Sequence, residues 1–298
     1  MAPKTFYTVL IESTVDRNDS FVQVFWAWAE NKGEAIARVA DVARDHEKIV
    51  DPFPVQMDPY DVETLPEDVK EIDGTGVYSA SARFFFQTSD LEEQIRPPAG
   101  VILSCWDGEY EPDELRAGFS SEVEEDGLFR LTIVPSQDDL KKTFLALVEA
   151  LPSIRVSWVE FSHEWGDVQS QQLYANEALN TPHAIHDFLQ REQLNIVENG
   201  WVKFTVYSTD GATNLRIDDH KEIDVLTYDE SVRDQMIAVL ERLGISYSEN
   251  LRSLTEGYYH WHYLPVGALD REALIAHLEE SGFFLWKEVE ISDCEKEQ

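Results

Sequence analysis

EIDVLTYDESVRDQMIAVLERLG, residues 222–244, contains a short apolar segment followed by a helical pattern with a marker at each end. Residues 222–228 are predicted to form a strand. Asp229 belongs to the residue types that cap helix N-termini, because its side chain can accept from free backbone N–H groups. Gly244 is a natural helix stop, since glycine adopts the left-handed backbone that ends many helices. The stretch therefore predicts a strand followed by a helix.

The same alternation continues toward the C-terminus. ISYSENL is a short strand or edge, and GYYHWHYLP (257–265) is the third strand of this region and an inner one. Asp270 is predicted to cap the next helix, which ends near Gly282, and FFLWKEVEI (283–291) closes the region as a strand. The order β-α-β-β-α-β is typical of the ferredoxin-like split βαβ arrangement.

Two upstream regions give looser versions of this order. Residues 128–208 contain strands and two helices, with Ser136 and Thr181 as expected caps, and 5–106 begins with a hairpin and a helix capped by Asn31. The proline-rich segment 51–76 is predicted to be a surface loop with one short helix, and the acidic segment 107–127 a connection. We expect an α+β protein of tandem ferredoxin-like (βαββαβ-type) units with mainly antiparallel sheets. Its domains would be 1–120, 128–208 and 209–298, with the last two separate or joined.

The composition limits the compartment and the class of protein. Hydrophobic residues make up 43% of 298 residues, which is enough for folded cores. Cys105 and Cys294 are the only cysteines, so a disulfide framework is excluded. The N-terminus lacks the pattern of a signal peptide, and no window has the apolar length of a membrane span. We expect a cytoplasmic protein that does not insert into membranes.

The charge balance is strongly acidic. There are 58 Asp and Glu against 24 Lys and Arg, for a formal net charge of −34. Nucleic-acid binding depends on cations that neutralise phosphates, so nucleic acid is not an expected partner. The acidity either serves solubility or adaptation to salt, or it steers a basic protein partner toward the surface, as in inhibitor and immunity proteins.

Common catalytic and phosphate-binding signatures are absent. The sequence has no GxGxxG, GxxxxGK[ST], GxSxG, HExxH or CxxC pattern. This absence favours a non-enzymatic protein with no cofactor.

Histidine pairs are the main candidates for metal chemistry. His183 and His186 lie three apart on a predicted helix, and His260 and His262 lie two apart on a predicted strand, so each pair could share a face. Together with Asp187, Glu160 or His163 they could hold zinc or another divalent cation. The alternative is that these histidines pack or hydrogen-bond without a metal.

Two acidic segments offer weaker candidates. RIDDHKEID (216–224) carries clustered carboxylates of the kind that bind calcium or magnesium, although it lacks the order of an EF-hand loop. A solvated hairpin turn explains the same residues. VEFSHEW places Glu160 and Glu164 beside His163, which could perform acid–base chemistry.

The aromatic strand is the candidate binding surface. Tyr259, Trp261 and Tyr263 alternate with Tyr258 and the two histidines along the strand. Aromatic side chains of this kind are enriched at interface hot spots. The alternative is that a neighbouring unit packs on this strand and buries it.

These observations give one main hypothesis and two alternatives. The main one is a non-enzymatic, acidic protein-binding module, in its most concrete form an immunity- or inhibitor-type protein with a basic partner. The first alternative is a metal-dependent hydrolase or metal-binding protein that uses His183, His186, His260 and His262. The second is a small-molecule sensor. The oligomeric state is not predicted from the sequence.

Overall fold

The computed structural model describes residues 4–14, 19–60, 62, 65–66, 69–87, 101–104, 116–136, 138–162, 165, 170–251, 259–262 and 264–290. The chain is a mixed α+β protein with two large, mostly antiparallel sheets. It divides into two compact units. Unit 1 contains Met1–Glu93 and Tyr263–Val266, and unit 2 contains Gln94–His262 and Gly267–Gln298.

Unit 1 is built on the predicted N-terminal hairpin. Strands β1 (Thr5–Thr14) and β2 (Asp19–Ala29) pair antiparallel, and the five-stranded sheet has the order β3-β1-β2-β5-β4. Helix α1 (Lys32–Asp45) packs on it through a core that includes Val9, Phe25 and Val39. Asn31 caps this helix as expected, because its side chain accepts a hydrogen bond from the Glu34 N–H at 3.0 Å.

Segment 51–76 is more regular than its prolines indicate. It contains strand β3 (Phe53–Pro59), which pairs with β1, and the two-residue strand β4 (Lys70–Glu71), which pairs with β5 (Val77–Gln87). The prediction of a surface loop with a helix at 66–72 was therefore wrong for these residues. Proline is tolerated in β3 because this strand lies at the sheet edge, where some backbone N–H groups need no partner.

Unit 2 contains an eight-stranded sheet with the order β15-β10-β9-β11-β12-β13-β8-β7. Each neighbouring pair is antiparallel. Its strands are β7 (Gly118–Val123), β8 (Phe129–Val134), β9 (Val156–Phe161), β10 (Ser170–Asn176), β11 (Val202–Ser208), β12 (Thr213–Ile217), β13 (Ile223–Thr227) and β15 (Phe284–Glu290). Strand β7 lies within the segment predicted to be a connection, so that prediction was wrong for these residues.

Four helices pack on one face of this sheet. They are α2 (Leu140–Ala150), α3 (Pro182–Arg191), α4 (Glu230–Arg242) and α5 (Arg271–Glu280), and a π-helical turn, Gln193–Val197, follows α3. Phe204 of β11 lies between Phe144 of α2 and Phe188 of α3, with ring centroids 5.9 and 5.5 Å away. Arg233 of α4 lies over Phe129, whose side chain points to the same face. This side of the sheet is therefore the core.

The aromatic strand pairs differently from the prediction. Strand β14 (Tyr259–His262) forms a separate two-stranded sheet with β6 (Val101–Ser104), in which Trp261 lies opposite Ile102. It was expected to be an inner strand of a βαββαβ unit, and this was wrong.

Tandem ferredoxin-like units are not confirmed. The segments 128–208 and 209–298 interleave in one sheet, because the β12–β13 hairpin lies between β11 and β8. No helix in the described part of the chain is long and apolar enough to cross a membrane.

Candidate functional site

The eight-stranded sheet has a second face, opposite the four helices. Side chains alternate along a strand, so the burial of Val159 and Phe204 against the helices directs their neighbours to the other side. We call this the second face and define it by Trp158, Glu160, Lys203, Thr205, Tyr207, Arg216 and Asp224. It carries an aromatic row near β15 and a charged cluster near the β12–β13 turn.

The aromatic row has members on three strands, β9, β11 and β15, and passes over β10, which lies between β9 and β15. The Trp158 ring on β9 lies 6.3 Å from the Tyr207 ring on β11 and 5.9 Å from the Trp286 ring on β15. All three side chains are partly exposed, and Trp286 is 59% exposed. Partly exposed aromatic rings of this kind are amphipathic and supply contact area to binding surfaces.

Strand β15 forms the edge of the sheet at the end of this row. Phe284 is 50% exposed and Leu285 45%, so three consecutive large apolar side chains reach solvent together with Trp286. The pairing register with β10 shifts there: Leu173 lies opposite Lys287 and Tyr174 opposite Leu285. Trp286 therefore occupies a β-bulge, a feature that re-aims a side chain at a sheet edge.

The charged cluster begins with a lysine between two carboxylates. Lys203 Nζ lies 3.5 Å from Glu160 Oε1 and 3.4 Å from Asp219 Oδ2, and the Ser162 hydroxyl donates to Asp219 Oδ2 at 2.8 Å. The side chains of all three charged residues are less than a fifth exposed. Burial by itself lowers the pKa of Lys203, but the charges of Asp219 and Glu160 outweigh it and raise the pKa. Lys203 is therefore held in its charged form.

The β12–β13 turn supplies the rest of the cluster. His220 Nδ1 lies 3.2 Å from Asp219 Oδ1 and 3.7 Å from Asp218 Oδ2, and Asp218 Oδ1 accepts from the Glu222 N–H at 2.8 Å. Burial opposes the charge on His220, yet the hydrogen bonds and charges of Asp218 and Asp219 raise its pKa to about 9. The imidazole is therefore protonated at neutral pH.

Lys221 is fully buried at the same turn. Its ammonium donates to the Val202 carbonyl at 2.8 Å and to the Ile196 carbonyl at 3.3 Å. Burial lowers its pKa to about 8, although Asp218 and Asp219 act in the opposite direction. Lys221 therefore links the β12–β13 turn by hydrogen bonds to the start of β11 and to the π-helical turn Gln193–Val197.

The cluster is close to neutral as a whole. Arg216 donates to Asp224 Oδ2 at 2.5 Å farther along the same face. Five acids, Glu160, Asp218, Asp219, Glu222 and Asp224, thus stand among four basic side chains, Lys203, Arg216, His220 and Lys221. The turn was expected to be solvated if it had no ligand, but Asp218, Lys221, Glu222 and Asp224 are buried. Its charges stabilise each other.

Metal coordination has one candidate geometry in the described part of the chain. Ligand atoms of Asp218, Asp219 and His220 lie within 4.8 Å of one another. A cation there would have to displace the proton of His220 and compete with Lys203 for Asp219.

The predicted histidine ligands lie in two places. On α3, His183 Nε2 lies 3.4 Å from Asp187 Oδ2 and His186 Nδ1 lies 3.3 Å from Asp187 Oδ1. The two histidine side chains are 87% and 54% exposed. His260 and His262 lie on β14, whose backbone is described but whose side chains are not. The combined histidine site stays a prediction, and His163 and Glu164 lie outside the described residues.

The predicted aromatic site is described only in part. Tyr259 and Trp261 are at register positions opposite Ser104 and Ile102, whereas Tyr258 and Tyr263 lie outside the described residues. The exposed aromatics on β15 were missed. The signal for them was the run FFLW at 283–286, which breaks the alternation expected of a half-buried strand.

Comparison of the chain with protein-family models, with curated proteins and with solved structures gives no match.

Proposed function

We propose that this protein is a non-enzymatic, acidic protein-binding module that engages a basic partner, in the manner of an immunity or inhibitor protein. The observation that carries the proposal is the exposed apolar run Phe284–Leu285–Trp286 on the edge of an otherwise strongly acidic protein. Apolar area provides affinity after contact, and the surrounding charge selects the partner.

The charge distribution supports a basic partner. Even if every one of the 24 cations neutralised one of the 58 acids, 58 − 24 = 34 carboxylates would remain. Several cations are already held by the protein's own acids, among them Lys203, Arg216, Arg130 and Arg233. The electrostatic field of the remaining carboxylates attracts cationic proteins and repels nucleic acid.

The aromatic row supports a protein rather than a small ion as the ligand. Trp158 and Trp286 offer ring surface on the second face, with Phe284 and Leu285 beside them on the edge. Trp and Tyr dominate the binding energy of many protein interfaces because each buries a large area with few rotatable bonds.

A salt-dependent binding experiment tests the proposal. Proteins encoded by the neighbouring genes are purified, and their binding to the full chain is measured at about 50 and about 300 mM salt. These concentrations lie below and above the roughly 100 mM at which the Debye length is about 10 Å. We expect a basic protein to bind and to bind more weakly at the higher salt. Binding by no basic protein at low salt, or binding that ignores salt, contradicts the proposal.

A divalent-cation site is the second candidate. The proximity of Asp218, Asp219 and His220 favours it, and the alternative set His183, His186, His260 and His262 stays open with it. Elemental analysis of protein purified without an affinity tag decides between them. A stoichiometric metal lost in His220→Ala assigns the turn, and one lost in His260→Ala/His262→Ala assigns the histidine set. Metal-free protein contradicts both.

A further inference from the structure

The two large sheets have four edges, and three of them contain proline, are very short or have a further backbone partner. Strand β3 contains Pro54 and Pro59, and its Met57 N–H is already bonded to the Leu264 carbonyl at 2.8 Å. Strand β4 has only two residues. Strand β7 exchanges hydrogen bonds with the segment around Tyr247, since the Phe119 N–H bonds to Ser246 and its carbonyl accepts from Ser248.

Strand β15 is the least protected of these four edges, since the bulge at Trp286 and the exposed Lys287 are its protections. It spans seven residues without proline, and within the described part of the chain it pairs with β10 alone. A free edge presents a row of unpaired N–H and C=O groups, which is a template for an added strand. The exposure of Phe284, Leu285 and Trp286 shows that side chains of this edge are open to solvent.

A second copy of the chain does not suit this edge. Antiparallel pairing of two β15 strands about their centre would place Lys287 opposite Lys287, and like charges directly opposite destabilise a pair. The two copies would also repel each other, because each has a formal net charge of −34. Exposed lysine in an edge strand is a common protection against such self-pairing.

The surroundings of β15 favour a cationic segment. Glu279 and Glu280 at the end of α5 and Glu288 on the strand itself are all exposed. Burial raises the pKa of Tyr174, which pairs with Leu285; the charges of Glu279 and Glu288 add to this rise and the charge of Arg271 opposes it. Lysines or arginines at alternate positions of an added strand would meet these carboxylates.

We infer that strand β15 binds an extended, Lys/Arg-rich segment of a partner protein by strand addition, with the apolar side chains of that segment against Trp286 and Phe284. This inference rests on the proposed function and names the site and the chemistry of the partner segment.

Synthetic peptides of the length of β15 test the inference on the full chain. The probe alternates Lys and Val. One control replaces Lys by Glu, and a second carries N-methyl groups on two adjacent central residues, which removes an N–H from each of its edges. Hydrogen exchange of residues 284–290 is the readout, because an added strand protects outward-facing amides and a side-chain contact alone does not.

We expect the Lys/Val peptide to protect amides of β15 and the two control peptides to leave them unprotected. Trp286→Ala should weaken binding about tenfold, as expected for an aromatic anchor. Phe53→Ala is the matched control, since Phe53 is an aromatic residue, 66% exposed, on edge strand β3 of unit 1; it should leave binding unchanged.

Binding that leaves 284–290 unprotected, or that is equal for the N-methylated peptide, overturns strand addition. If a purified basic partner binds the chain while β15 stays unprotected, the edge inference fails and the proposed function stands. If neither a basic protein nor the Lys/Val peptide binds, both fail.

Discussion

Replacing His220 by glutamine should destabilise the protein in a strongly pH-dependent way. The imidazolium lies beside Asp218 and Asp219 in a part of the turn where its side chain is 17% exposed. Glutamine keeps a hydrogen-bond donor but removes the positive charge. The two carboxylates would then stay close together, with Lys203, Arg216 and Lys221 to compensate them.

The magnitude follows from the raised pKa. The pKa of His220 rises from 6.5 to about 9 on folding, so the folded state holds the proton more tightly than the unfolded state. The stabilisation is therefore fully present below pH 6.5 and is lost as the pH rises through 9. By linkage, protonated His220 contributes about 3 kcal/mol to the free energy of unfolding near pH 6, about 2 kcal/mol near pH 7.5 and almost none above about pH 9.5.

Chemical denaturation of wild type and His220→Gln at these three pH values measures the effect. The quantity compared is the difference in free energy of unfolding between the two proteins. Groups that titrate in the same way in both proteins do not contribute to this difference. His183→Gln is the control, because its side chain is 87% exposed; its effect should stay within about 0.5 kcal/mol at every pH.

A difference between wild type and His220→Gln that does not change with pH would refute the reasoning. It would mean that His220 contributes packing or a neutral hydrogen bond, and that the carboxylates are not stabilised by its charge. A difference that grows toward high pH would reverse the sign of the linkage and refute it equally.

Three further substitutions test the core, a helix cap and the buried lysine. Phe204→Ala removes a fully buried ring and should lower the free energy of unfolding by about 3–5 kcal/mol, whereas Phe53→Ala should change it by less than about 0.5; equal effects would contradict the assigned core. Asp229→Ala removes the acceptor for the Ser231 N–H and should cost about 1 kcal/mol in the same denaturation assay, with no loss arguing against the cap. Burial lowers the pKa of Lys221 from 10.5 to about 8, so the unfolded state binds more protons between these values. The stability of wild type relative to Lys221→Met should thus rise with pH across that window by up to about 3 kcal/mol, and a flat difference would contradict the assignment.

Helix starts were predictable from the sequence because capping is local. Asn31, Thr181, Asp229 and Asp270 each accept a backbone N–H from the first turn of the helix they precede, as their residue types predict. Ser136 is the exception: α2 begins later, at Leu140, and the Ser136 hydroxyl donates to Asp139 instead.

The candidate site was predictable only in its parts. The carboxylates of 216–224 stood out by composition, but their burial depends on Lys203 and Glu160, which reach them from neighbouring strands. The aromatic strand 259–262 was chosen for its residue types, and the exposed Phe284 and Trp286 on β15 were not singled out. Exposure is set by the position of a strand in a sheet, and residue type does not specify that position.

The sequence by itself determined the α+β class, the strongly acidic character and the start of most helices. These depend on composition, on spacing along the chain and on hydrogen bonds between residues a few positions apart. Tertiary structure alone decided that the β12–β13 hairpin lies between β11 and β8, that β14 pairs with β6, and that β15 forms an edge. The physical reason is that strand pairing joins backbone groups far apart in sequence, and many partners satisfy the same local pattern equally well.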